Sequence, residues 1–215
     1  VPRADWGIPI PGGFFHRETH RYRDEEGCVR PSTTQVFAVE GLSDFSMVKE
    51  EDLNWKRQYG DAVHEAMQFL VQEDLDWDTV DEAIIAPVTG IECRLKELSF
   101  ELEAAEESQV VNAFSMRYGM TLDLRGTILY HGRRRHVVID LKTGSKFSQS
   151  WFWQLGGYLV PQPKVPMGWL GIVLQVNPNG EVTPHHVPQV EAAKREFMVL
   201  LAAATLKLNH GFATL

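Results

Sequence analysis

Cysteine is scarce in this chain: Cys28 and Cys93 are the two in 215 residues. They form no C-x-x-C pair, and two thiols cannot supply an iron–sulfur cluster that needs four cysteine ligands. A reduced, cytoplasmic setting is the simplest expectation. No apolar run approaches the ~20 residues of a membrane span, so no membrane partner is expected. The opening VPRADWGIPIPGG lacks a basic end followed by an apolar core, so it does not read as a signal peptide. There is no Gly-x-x-x-x-Gly-Lys-Ser/Thr, which leaves any ATP-driven step to a partner. Internal repeats and low-complexity segments are absent as well. An overall excess of positive charge is also missing, the net charge being −8.

That negative charge is unevenly spread. Residues 43–108 carry 5 basic and 18 acidic residues, −13, whereas residues 109–215 carry 11 basic and 5 acidic, +6. A local basic groove in the second half is compatible with this pattern. A solvated acidic helical region beside an ordinary core explains the first half equally well. At this length one domain is expected, with residues 1–48 as an N-terminal arm and hairpin embellishment and 49–215 as the main domain. Phe14 to Tyr22 reads as a strand entering an acidic turn, Cys28-Val29 as its return, and Gln35 to Glu40 as a short helix capped by Ser32 or Thr33.

The chain is organised around Gly119 to Tyr158, which reads as strand, tight turn, strand, loop and helix. His131-Gly132 between two apolar runs is a hairpin signal. Val137, Ile139 and Leu141 alternate with Val138, Asp140 and Lys142, so Asp140 and Lys142 share one face of a strand. The preceding strand carries Asp123. Antiparallel pairing would let Asp123 and Asp140 converge, and two such carboxylates repel unless a cation lies between them. A lysine beside them can position or deprotonate a water, which makes the group a candidate for metal-assisted hydrolysis.

Upstream, Asp52 to Gln72 has helical spacing, and it places Gly60 and His64 on one face. His64 is either a packed core histidine or a metal ligand, and with the two carboxylates downstream the ligand reading is preferred. Asp76 to Leu102 reads as helical, with a break at Pro87 and Gly90. The acid run through Glu106 and Glu107 reads as a solvated face, although Glu107 could reach the site as an extra ligand. Arg133, Arg134 and Arg135 at a hairpin tip are either a solvated turn or phosphate contacts. Trp151, Phe152 and Trp153 exceed what one short helix usually buries, so one ring can face the cleft and stack on a base. Trp169 to Val176, Glu181 to Val187 and the helix Val190 to Leu208 complete the chain. His16 and His20 read as surface residues, and His185-His186 point to opposite faces of a strand.

The order Gly-x-x-x-His at 60–64, Gly-x-x-x-Asp at 119–123, Asp140-Leu141-Lys142-Thr143-Gly144 and Gln154-x-x-x-Tyr158 resembles the PD-(D/E)xK nuclease superfamily, in particular its RecB-type branch of phage-type exonucleases. The cysteine count departs from the CRISPR-associated relatives that hold an iron–sulfur cluster. The resemblance implies an α/β fold with a mixed sheet of about five strands flanked by helices. It also implies a metal-dependent DNA nuclease, an exonuclease acting on linear double- or single-stranded DNA in recombination, repair or phage DNA processing. Mg2+ or Mn2+ would be held by His64, Asp123, Asp140 and the Leu141 backbone carbonyl, with Lys142 acting on water. Gln154 and Tyr158 would support the site or touch the substrate phosphate. A helicase, recombinase or single-strand-binding partner and a bacterial or phage-infected cell fit the same picture. A structure-selective or site-specific endonuclease on the same core, and a catalytically silent nucleic-acid-binding subunit, remain the alternatives.

Overall fold

The computed structural model describes residues 6–42, 50–144 and 146–215, with the side chains of 50–52 left aside. The expected boundary between 48 and 49, and the first five residues of the expected arm, lie outside the described residues.

The fold is α/β, as expected. A five-stranded mixed sheet has the order β5-β6-β7-β8-β9: β5 (Glu101–Ala113), β6 (Met116–Tyr130), β7 (Arg133–Lys142), β8 (Leu170–Val176) and β9 (Val182–His186). β5, β6 and β7 form an antiparallel meander, β7 and β8 pair parallel, and β9 returns antiparallel. The parallel pair needs a crossover, and α4 (Gln149–Leu159), capped by Ser148, supplies it. The hairpin between β6 and β7 turns on His131 and Gly132, both at positive φ, as a tight two-residue hairpin turn requires.

β7 is buried on both faces, which is why its sequence is an apolar run. Val138 packs into a core with Phe152, Leu155, Leu159 and Phe197, on the side of α4 and α5 (Val190–Asn209). Val137, Ile139 and Leu141 pack into a second core with Val63, Met67, Val88 and Ile91, on the side of α2 (Glu50–Val71) and α3 (Glu82–Glu97). Asp140 has the parity of Val138, so it is a carboxylate set in the buried stretch 137–141, which is otherwise apolar.

The expected break near Pro87 and Gly90 does not occur. α3 runs through both, and only the short 3-10 turn Trp77–Thr79 precedes it. Pro87 is buried, and Gly90 lets the helix meet the Gly180 carbonyl, where a Cβ would overlap. The acid run is also not a loop, because β5 starts at Glu101.

The N-terminal part is a four-stranded antiparallel sheet of β1 (Ile8–Ile10), β2 (Gly13–His16), β3 (Arg21–Asp24) and β4 (Val29–Arg30). The expected strand from Phe14 to Tyr22 is thus two strands joined by a turn. α1 (Thr33–Val39) follows, with Ser32 and Gln35 forming a reciprocal capping box. This sheet docks on β5 and β6. The Tyr22 ring covers Gly119, where a Cβ would overlap it, and the Gly119 N–H donates to the Pro31 carbonyl at 2.8 Å. Buried Asp24 of β3 accepts from Arg30 of β4 at 2.7 Å and from Arg117 of β6 at 2.8 Å.

Candidate active site

The β6–β7 ladder runs from Tyr130 opposite Arg133 to Leu124 opposite Ile139 and stops there. The Leu141 N–H would be next in line for a backbone partner. It donates instead to Asp123 Oδ2 at 2.6 Å. The two strands therefore part at the point where their carboxylates stand, and the parting opens a cleft of about 640 Å3.

His64 approaches from α2, its Nδ1 lying 3.5 Å from Asp123 Oδ1. Gly60, one turn earlier, faces Thr143, whose Oγ1 would lie 3.3 Å from an added Cβ. The glycine lets the helix sit close to the residue after Lys142. Lys142 Nζ lies 3.0 Å from Asp140 Oδ1 and 2.8 Å from Oδ2. Asp140 Oδ2 is buried and has no partner in hydrogen-bonding geometry. The Leu141 side chain is buried in the core, so only its backbone is available to the site.

Glu106, not Glu107, joins this group. Glu107 Oε2 is held by Arg125 Nη2 and Nε at 2.9 and 3.1 Å. Glu106 is level with Asp123 in the β5–β6 register, between the pairs Ala105–Leu124 and Glu107–Leu122. Its backbone takes φ +50, uncommon for a residue with a side chain and of the kind that gathers at functional sites. One donor atom each from His64, Glu106 and Asp123 lie within 4.8 Å of one another. The sequence signal was present in Glu106 itself, but the β5–β6 register that sets it level with Asp123 has no sequence mark of its own.

Burial pushes the Asp140 carboxyl up to about 6, with Lys142 opposing and Asp123 adding to the rise. Burial and the Asp123 charge push Glu106 up to about 7. Burial opposes ionisation of Asp123 too, but His64, Lys142 and the Leu141 amide outweigh it and hold its pKa below the usual range. Burial lowers the His64 pKa, and the Asp123 carboxylate more than offsets this, so the net direction is up. Carboxylates crowded in this way, with one imidazole beside them, could hold a metal ion.

Gln154 and Tyr158 also line the cleft, both buried, with Gln154 Nε2 donating to the Tyr158 hydroxyl at 2.5 Å. The arginines do not converge on it. Arg134 is tied to Glu101 and to the Ser99 carbonyl, and Arg135 to the carbonyls of Met167 and Gly168. Arg135 and Asp140 are five residues apart on one extended strand, about 17 Å. Arg133 is at the tip beyond them. The N-terminal part contributes what the sequence reading left out: His20 and Tyr22 from the β2–β3 turn and β3, and Ser32 and Thr33 at the start of α1, also line the cleft. Tyr22 is fixed there by hydroxyl contacts of 2.6 Å from Tyr22 to Thr121 and from Thr121 to Ser108. His185 bonds Gln175 and is not part of the group.

No family model matches the chain, and no curated protein matches it. Among solved structures it is similar to one described as the crystal structure of SSO0001, with 18% identity over 82% of this chain and 84% of that one, at a TM-score of 0.34. That likeness says nothing about activity. No helix among the described residues is long and apolar enough to cross a membrane.

Proposed function

We propose that this protein is a metal-dependent nuclease that hydrolyses phosphodiester bonds of DNA, acting as an exonuclease. The observation that carries the reading is the meeting of His64, Glu106, Asp123, Asp140 and Lys142 in one open cleft where two strands of the sheet part. Asp123, Asp140, Glu106 and His64 would hold Mg2+ or Mn2+, with the Leu141 backbone beside them. The ion would supply Lewis acidity, lowering the pKa of a water and taking up charge that builds on the phosphate. The Leu141 amide fixes one oxygen of Asp123 and leaves the other to face His64. Lys142 neutralises Asp140 and stands where it can orient a water or donate to a phosphate oxygen. Tyr158, its hydroxyl kept protonated by burial, holds Gln154 against the cleft wall.

The test is cleavage of end-labelled linear DNA beside closed circular DNA, with Mg2+, Mn2+ or EDTA. Loss of linear DNA alone, abolished by EDTA and by Asp140→Asn, is the expected result. Nicking of the circle would make the chain an endonuclease on the same site. Inactivity on both, or full activity of the Asn variant, would overturn the reading.

A further inference from the structure

A second cavity of about 440 Å3 adjoins the cleft, and His64 and Lys142 line both. The two differ in charge. The first is lined by Asp61, Glu65, Glu106, Asp123 and Asp140. The second has no carboxylate among its described lining residues; it has Lys142 and Lys146, with the hydroxyls of Thr143, Ser148 and Ser150. A DNA strand held at Lys142 must send its next phosphate to one side or the other. With the cation neutralising its ligands, Asp61 and Glu65 still disfavour a phosphate on the first side, and the lysine side attracts it.

The second cavity also has an aromatic wall. Of the three consecutive aromatics on α4, Phe152 is buried in the core and Trp153 is tied to Glu196 through its Nε1 at 2.6 Å. Trp151 alone of the three lines the cavity. Its Cζ2 and Cη2 would lie 3.4 and 3.8 Å from a Cβ on Gly144. Phe147 braces it edge-on, with centroids 5.5 Å apart at 78°. The Gly144 carbonyl is fixed by Gln175 Nε2 at 2.8 Å, which anchors this loop to β8. The ring is thus held in place before any ligand arrives, so little entropy is lost when a base stacks on it.

We propose that this second cavity seats the nucleotide next to the scissile phosphate, with Trp151 stacking on its base and Lys146 pairing with its phosphate. The proposal rests on the nuclease reading for the position of the scissile bond. The test is fluorescence anisotropy of a labelled single-stranded oligonucleotide in Mg2+, across a salt series, with Asp140→Asn as the parent. Adding Trp151→Ala should weaken binding about tenfold at every salt concentration. Adding Lys146→Gln should weaken it and flatten the plot of log affinity against log salt by about 0.7, one phosphate contact on a single strand. Lys146 is exposed, so Lys146→Gln should leave the fold intact, which an unchanged thermal midpoint checks. An unchanged salt slope with Lys146→Gln, or an unchanged affinity with Trp151→Ala, overturns the proposal. The measurement needs no turnover. A wild-type chain inert toward DNA would refute the nuclease reading while the binding series still decides the cavity.

Discussion

Glu106→Gln should stabilise the metal-free protein at alkaline pH. In the folded chain Glu106 titrates near 7, against an ordinary 4.5, because it is buried beside Asp123. A gap of 2.5 units at 1.36 kcal/mol each is about 3 kcal/mol, an upper bound once the chain relaxes. The sign follows from which state holds the proton. Below pH 4.5 both states are protonated and the group contributes nothing. Between 4.5 and 7 the unfolded chain ionises while the folded one resists, so folding stability falls. Above 7 the loss is complete. Glutamine removes that loss. Thermal and urea unfolding in EDTA at pH 4 and pH 8 would measure it. Little difference is expected at pH 4, and a gain of up to about 3 kcal/mol at pH 8, or ~5–10 °C in Tm for a chain of this size. Adding Mn2+ at pH 8 should favour the wild type, which gains ~2.7 kcal/mol at a hundred times Kd, while the variant gains less. A pH-independent offset, or a variant less stable at pH 8 in EDTA, would refute the reasoning.

Lys142→Gln should lower cleavage about 10²- to 10³-fold while keeping metal affinity; calorimetry with Mn2+ checks the second half, and a lost metal signal contradicts the role given to the lysine. Arg117→Met takes from buried Asp24 one of its two arginines and should lower the urea-unfolding midpoint, whereas an unmoved midpoint would show that Arg30 suffices. Gly119→Ala drives a Cβ into the Tyr22 ring and should cost about 1–3 kcal/mol. A second substitution, Tyr22→Leu, should restore part of that loss, and no recovery would place the strain elsewhere.

The main sheet was legible in the sequence because its strands obey a simple rule. β7 is central and its second half is apolar but for Asp140 and Lys142, and His131-Gly132 marks its turn from β6. Asp140 and Lys142 followed from a period of two, and the structure pairs them. Position at the site was harder to read than type. Glu106 and Glu107 are equivalent in composition, and the register of β5 on β6 decides which one stands level with Asp123. The three arginines looked like phosphate ligands because charge can be counted in a sequence, but which end of a strand it occupies depends on the turn. Trp55 has the spacing of a core residue, yet it is exposed and stacks on Tyr59 at 5.3 Å. The far wall of the cleft was invisible for a different reason. Tyr22 and Thr121 are 99 residues apart, and nothing local encodes their contact.

The parting of β6 from β7 also bears on how the chain folds. Asp123 and Asp140 belong to one hairpin, a loop that closes at small entropic cost, so the two carboxylates can meet early. The residues that make their meeting tolerable come later. His64 must be brought in from 59 positions before Asp123, and β8 must cross over through α4 before β7 is covered on both sides. For part of its folding the chain would carry two facing negative charges with few of their partners. Divalent cations should therefore quicken the last stages of refolding as well as stabilise the product, and refolding in EDTA should slow as pH rises through the ordinary carboxylate range, where both groups become ionised before they are buried.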